Sequence, residues 1–375
     1  MPIRLATLAL ALLLAGCATD SDKAAQPAPL PELVRPVSVR VAWKFDVGSA
    51  RDGLLQPAVL ENAIYAVSGR GNLVRIDPAS GKELWSVRVA DEVASGVGSD
   101  GSTVVVTGPR GEILAFDAAG KSLWKAQASS DVVAPPLVGH GLVLVRSTDQ
   151  HISAYELASG KRRWVYLKQE PSLTLRQSAG LVFVDESVLA GFPGGRMVSI
   201  ALATGAQRWE AGVSEPRGAT EVERLNDVLG TPSRDRDVAC AASFQGRIAC
   251  FDAATGDLRW AREFAAGAGA VVSGDRVYGV DENSSVSALS RTAGATIWQT
   301  RALAHRQLGP VAVLPSGLVV VADFEGHVHF LSGEDGHAAG RIDADGPLSS
   351  PPQTWNGSVV VQTSRGTLLM LSVGP

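Results

Sequence analysis

Short apolar runs recur along the chain, separated by turns that carry glycine and aspartate. Ala63-Ile-Tyr-Ala-Val67 is followed by Leu73-Val-Arg-Ile-Asp77, and Thr103-Val-Val-Val-Thr107 by Ile113-Leu-Ala-Phe-Asp117. Runs of this length, rich in β-branched residues and bounded by turn formers, predict strands. A small turn ending in Gly comes after each pair, and Trp follows four residues later. The copies are Gly81 to Trp85, Gly120 to Trp124, Gly160 to Trp164, Gly205 to Trp209, Gly256 to Trp260 and Gly294 to Trp298. A seventh, Gly336-His-Ala-Ala-Gly340, has Gly where Trp is expected. Each unit thus holds four short strands in about 40 residues, the period of a β-propeller blade.

Seven complete units leave Gly346–Pro375, enough for three strands without a terminal Trp strand. Val39-Arg-Val-Ala-Trp43-Lys-Phe45 has the Trp-strand pattern with no blade ahead of it, so it is expected to complete an eighth blade beside residues 367–373. Joining the first strand to the last sheet removes both free edges. The predicted fold is all-β: an eight-bladed β-propeller of four-stranded antiparallel blades over residues 39–375. The repeated Trp is expected to dock between neighbouring blades. Trp355 lies outside the repeat and is expected in the core.

Composition agrees with one repetitive body. The 375 residues include 40 Gly and 20 Pro, and the 8 Trp against 4 Tyr fit a single recurring Trp position. With 19% charged and 45% hydrophobic residues and a net charge of −4, neither disorder nor a nucleic-acid surface is expected.

The N-terminus reads as an address. One basic residue, Arg4, precedes the apolar run Leu5–Ala15, which is too short to span a bilayer as a helix. Leu14-Ala15-Gly16-Cys17 then resembles the bacterial lipobox, which implies cleavage after residue 16 and lipidation of Cys17. By the same resemblance Ala18 implies sorting to the outer membrane. Residues 17–38, with Pro27, Pro29, Pro31 and Pro36, are expected to be a flexible tether. Cys240 and Cys250 remain. They flank a hairpin turn on two adjacent strands in an oxidising compartment, which leaves a disulfide and two buried thiols both open.

Catalytic signals are sparse. There is no Gly-x-Ser-x-Gly elbow, HExxH helix or phosphate-binding loop. His327-Val-His329 puts two imidazoles on one face of a strand, but no third metal ligand is apparent nearby in sequence, and no metal is expected. The unit Ala-x-Asp-x-x-x-Gly-x-x-x-Trp resembles the repeats of eight-bladed quinoprotein dehydrogenases, which hold pyrroloquinoline quinone and calcium. That resemblance implies the fold, whereas their adjacent cysteines and long capping segments are missing here, so no cofactor is expected.

The repeat stretches in two neighbouring places. Trp-to-Trp spacings are 42, 39, 40, 45, 51 and 38 residues, and the two long ones run from Trp164 to Trp260. The inserted loops precede the first strands of consecutive blades, so they are expected side by side on one face. One carries Leu173, Leu175 and Arg176, apolar anchors beside a forked donor; the other carries Glu221, Glu223, Arg224 and Asp227. A salt link from Arg176 to Asp227 is expected to orient the loops. Packing of the leucines on the blade, with solvated charges, is the plain alternative.

The lipobox, tether, Trp-motif blades and two loops together resemble the BamB family, propeller lipoproteins of the outer-membrane β-barrel assembly machine. Leu173, Leu175 and Arg176 match its Leu-x-Leu-Arg motif. Glu221, Arg224, Leu225, Asp227, Thr231 and Pro232 match its second loop motif, while Glu223 replaces one Asp and Leu229 stands where the last Asp is expected. The resemblance implies a non-catalytic scaffold that binds the POTRA domains of BamA through Leu173, Leu175, Arg176, Glu221, Glu223, Arg224 and Asp227. It also implies a lipid-anchored protein of the outer membrane facing the periplasm, assisting insertion of outer-membrane proteins. A periplasmic quinoprotein-like enzyme or cofactor-binding protein is the rival, and direct contact with unfolded barrels stays open.

Overall fold

The structure is a computed structural model that describes residues 26–50, 55–132, 134–169, 173–175 and 179–374. The predicted signal peptide, Cys17 and Arg176 lie outside these residues. Eight four-stranded sheets form a β-propeller. Blades 1 to 7 span residues 58–88, 98–127, 137–166, 181–212, 228–264, 271–300 and 312–343. Blade 8 takes three strands from residues 353–374, and Ser38–Asp46 adds the fourth. The closing pair is antiparallel, from Ser38 opposite Gly374 to Asp46 opposite Thr367, as the sequence predicts.

Every blade is a meander of antiparallel neighbours, so its second and fourth strands point the same way. The connection from a fourth strand to the next blade therefore emerges on the same face as the turn between second and third strands. We call this the loop face. Turns between first and second and between third and fourth strands lie on the far face. The middle strands are apolar on both sides because each sheet is covered by two neighbours; Val104, Val105 and Val106 are all fully buried.

The Gly-x-x-x-Trp spacing has a structural cause that spans two blades. Each repeat Trp lies on an outer strand, and in every case but Trp209 its indole N–H donates to a backbone carbonyl of the following blade. The pairs are Trp43 to Pro78 (2.9 Å), Trp85 to Ala118 (3.0 Å), Trp124 to Leu157 (2.8 Å), Trp164 to Leu202 (2.7 Å), Trp260 to Arg291 (2.7 Å) and Trp298 to Gly333 (2.8 Å). The repeat Gly of that following blade lies against the same ring. A Cβ on Gly160 would come within 2.5 Å of the Trp124 ring, and Gly160 also has φ +71°. Gly thus serves the Trp before it, and Trp serves the Gly after it.

Gly340 explains itself by the same geometry. A Cβ there would meet Val39 Cγ2 at 2.7 Å and Val37 Cγ2 at 3.4 Å, so the N-terminal segment fills the space that a Trp occupies elsewhere. Two expectations need correcting. Trp355 is half-buried at the end of an inner strand, where its indole donates to the Glu61 carbonyl of blade 1 (3.0 Å). Residues 28–37, expected as flexible tether, are hydrogen-bonded along blade 7; Val34 and Val37 amides donate to the Ala338 and Ala339 carbonyls (2.8 and 2.9 Å). Cys240 and Cys250 stand directly opposite on the second and third strands of blade 5, both fully buried and joined by a disulfide.

Candidate partner-binding face

The stretched segments between blades 3 and 4 and between blades 4 and 5 both emerge on the loop face, and the structure ties them together. Asp227, just ahead of the first strand of blade 5, accepts the Leu175 amide at 2.6 Å and the Gly194 amide at 3.3 Å. Its side chain is only 4% exposed, so it works by holding backbone rather than by meeting a partner, which corrects its expected role as a contact residue. Burial pushes the Asp227 carboxyl above the usual range, opposed by the two amides and by the Arg146 charge. The expected link from Arg176 lies outside the described residues.

The two leucines divide. Leu173 is exposed, while half-buried Leu175 packs on a blade 5 cluster that includes Leu229, Ile248 and Phe264. Leu229, where the resembling family has Asp, is therefore part of the apolar floor beneath the loop. In the second segment Glu223 accepts the Ala219 and Thr220 amides (2.7 and 3.1 Å), bonds that hold its carboxyl below the usual range, and Arg224 Nε donates to the Gly218 carbonyl (3.1 Å). Glu221, Glu223 and Arg224 are all exposed on this turn.

Several residues that shape the face were passed over in the sequence. Leu167 and Val222, each 62% exposed, add apolar surface to the two stretched segments. Arg146 is buried at the end of an otherwise apolar strand, Leu142–Arg146; it donates to the carbonyls of Ala179 and Gly191 and to Gln150, and it stacks 4.8 Å over the Phe192 ring. It therefore fixes the root of the first segment, and the one visible signal was a charge closing a run of Leu and Val. Asn226 does the same for the second, donating to the Ser214 carbonyl (3.3 Å) and Oγ (3.2 Å).

The histidine pair sits elsewhere on the loop face, in blade 7. Asp323, in the turn before His327, supplies the third donor that the sequence seemed to lack, and one donor atom from each of the three lies within 4.8 Å of the others. The carboxylate is already neutralised: Arg306 Nε donates to it at 2.7 Å and His329 Nε2 lies 3.0 Å away. A guanidinium thus occupies the cation's role, with Glu325 as its second partner. Burial, joined by the charges of His327 and Arg306, lowers the His329 pKa against the opposing pull of Asp323. The folded state favours neutral His329, so its contribution is complete above the unfolded value near 6.5 and is lost as pH falls below it. Thermal unfolding should accordingly shift downward between pH 7 and pH 5, with a smaller shift in His329→Gln; equal shifts would place the sensitivity elsewhere.

Comparison with known proteins decides the family. The sequence pattern of a family described as outer membrane protein assembly factor BamB matches residues 37–95, 69–300 and 282–374. The chain belongs to the BamB family. BamB of Bordetella pertussis is 40% identical over 364 residues, covering 96% of this chain and 94% of the relative. BamB of Burkholderia pseudomallei is 36% identical, covering 96% and 95%, and that of Escherichia coli K12 is 28% identical, covering 96% of both. The crystal structure of BamB from Moraxella catarrhalis superposes with a TM-score of 0.82 at 26% identity, covering 89% of this chain and all of that one. A quinohemoprotein alcohol dehydrogenase from Comamonas testosteroni shares the fold alone, with a TM-score of 0.67 at 13% identity, covering 89% of this chain and 76% of that one. Among the described residues of this BamB-family chain, no helix is long and apolar enough to cross a membrane.

Proposed function

We propose that this BamB-family propeller is a non-catalytic, lipid-anchored scaffold of the outer-membrane barrel-assembly complex, binding the POTRA domains of BamA through its loop face and assisting outer-membrane protein insertion. The observation that carries this is the joined pair of segments: Asp227 holds the Leu175 backbone, while Leu167, Leu173 and Val222 stand exposed on the two segments, the second of which also exposes Glu221, Glu223 and Arg224. Exposed apolar anchors together with charged residues on a tethered backbone have the composition of an interface. The positions also match the family's loop motifs. Lipidation at Cys17, with residues 1–16 as signal peptide, rests on the lipobox and would place the propeller in the periplasm. The rival quinoprotein chemistry is disfavoured by the cysteines, which are bonded across two strands inside blade 5 and fully buried.

The test is affinity purification of the tagged protein from detergent-solubilised native membranes. Wild type is expected to retain a large outer-membrane barrel protein. Leu173→Asp should reduce that retention about tenfold with thermal unfolding unchanged, since one exposed anchor in an interface centre contributes about 1–2 kcal/mol. Undiminished retention by Leu173→Asp and Arg176→Glu alike would show that the partner binds elsewhere.

A further inference from the structure

The N-terminal segment is bound to the propeller over residues 28–37, and its course places Ala28 on the loop face. Arg306 Nη1 donates to the Ala28 carbonyl (3.0 Å), and the Ala28 amide donates to the Ala304 carbonyl (2.9 Å). Both partners belong to the connection between blades 6 and 7, which lies on the loop face. From there the segment descends along the outer strand of blade 7, Ala338–Asp343. Arg341 donates to the Pro31 carbonyl (3.3 Å), the Val34 and Val37 amides pair with Ala338 and Ala339, and Arg35 meets Asp335 at 2.9 Å near the far face. At Ser38 the chain turns back upward as the closing strand of blade 8.

The upper clamp is built into the core. Arg306 is 4% exposed and Asp323 3%, and the ion pair between them is itself braced by His329. Buried paired charges hold geometry well because breaking the pair strands the other charge. Val37 and Val39 plug the space beside Gly340 that a Trp takes in other blades. The segment is thus clamped at its start and wedged at its end.

We infer that this clamped segment orients the propeller with its loop face toward the lipid surface to which the chain is anchored. The inference rests on the proposed lipidation of Cys17. From Ala28 to Cys17 the chain can extend at most about 40 Å, comparable with the body it must orient; a chain free from Ser38 would extend about 75 Å and leave from the far face. The membrane therefore lies on the side of Leu167, Leu173 and Val222, two blades and more around the ring. A partner rising from the same membrane meets those residues without the propeller turning over.

The experiment uses the full lipidated chain on vesicles containing an acceptor-dye lipid, with a donor dye on Asn283→Cys or Ala293→Cys. Both positions are exposed on blade 6, the first on the loop face and the second on the far face. Energy transfer is expected to be at least twofold higher from position 283. Inserting about twenty Gly and Ser residues ahead of Ala28 lengthens the link from Cys17 to Ala28 without touching the fold, and should bring the two efficiencies together. Arg306→Ala should do the same if the ring stays folded by circular dichroism. Vesicles that float with the protein but give equal transfer, or more from position 293, overturn the orientation alone. Failure to float overturns the anchoring reading and the orientation with it.

Discussion

Replacing Trp124 by alanine is expected to cost about 3–5 kcal/mol of stability, the largest effect of any single change considered. The indole bridges blades 2 and 3: its N–H reaches the Leu157 carbonyl at 2.8 Å and its ring covers Gly160. Alanine removes that contact area, leaves a gap between sheets that cannot close without moving whole blades, and leaves the carbonyl without its donor. A comparison within the ring makes the hydrogen-bond share measurable. Trp209 occupies the same repeat position, yet its buried indole nitrogen has no partner among the described residues. Trp209→Ala should therefore be milder than Trp124→Ala by about 1 kcal/mol. Urea unfolding followed by far-ultraviolet circular dichroism gives both values. A loss below 1 kcal/mol for Trp124→Ala would contradict the bridging role.

The second large effect is on binding. Asp227→Ala should weaken capture of the barrel partner about 30- to 100-fold while moving the thermal midpoint by no more than about 3 °C. Removing the carboxylate takes the acceptor from the Leu175 and Gly194 amides, a penalty of about 2–3 kcal/mol that falls on the loop rather than the ring. A loop competent for only a small fraction of the time raises the apparent Kd by the reciprocal of that fraction. Asp227→Asn keeps one acceptor oxygen and should fall between alanine and wild type. Partner affinity measured on purified components checks the order; wild-type affinity in Asp227→Ala would separate the loop's position from binding.

The two motifs behaved differently as guides to structure. Gly-x-x-x-Trp could be counted because its cause is local to adjacent blades and repeats in six of the eight. The loop motif pointed to the right stretch but blurred its roles. Asp227 looked like a surface acid beside Glu221 and Glu223, yet burial and two amides make it the post on which the Leu175 backbone hangs. Leu229 looked like a lost carboxylate and is instead apolar floor. Arg146, Leu167 and Val222 belonged to no motif, since nothing in a strand-end arginine or a lone exposed aliphatic residue says which neighbours will stand beside it.

What the sequence by itself determined is the number of blades, the ring closure and the segments where the repeat is interrupted. Strand patterning and turn glycines are short-range, and their period survives whatever the neighbours are. Tertiary structure alone decided which residues face outward on the loops, that Cys240 and Cys250 meet across one strand pair, that Asp323 joins His327 and His329, and that residues 28–37 lie against blade 7. The course of residues 28–37 and the outward residues of the loops depend on contacts between segments far apart in the chain, set by how one blade packs on the next, whereas the cysteine pair and the Asp323 cluster depend on strand register and turn geometry inside one blade, which residue patterning leaves open.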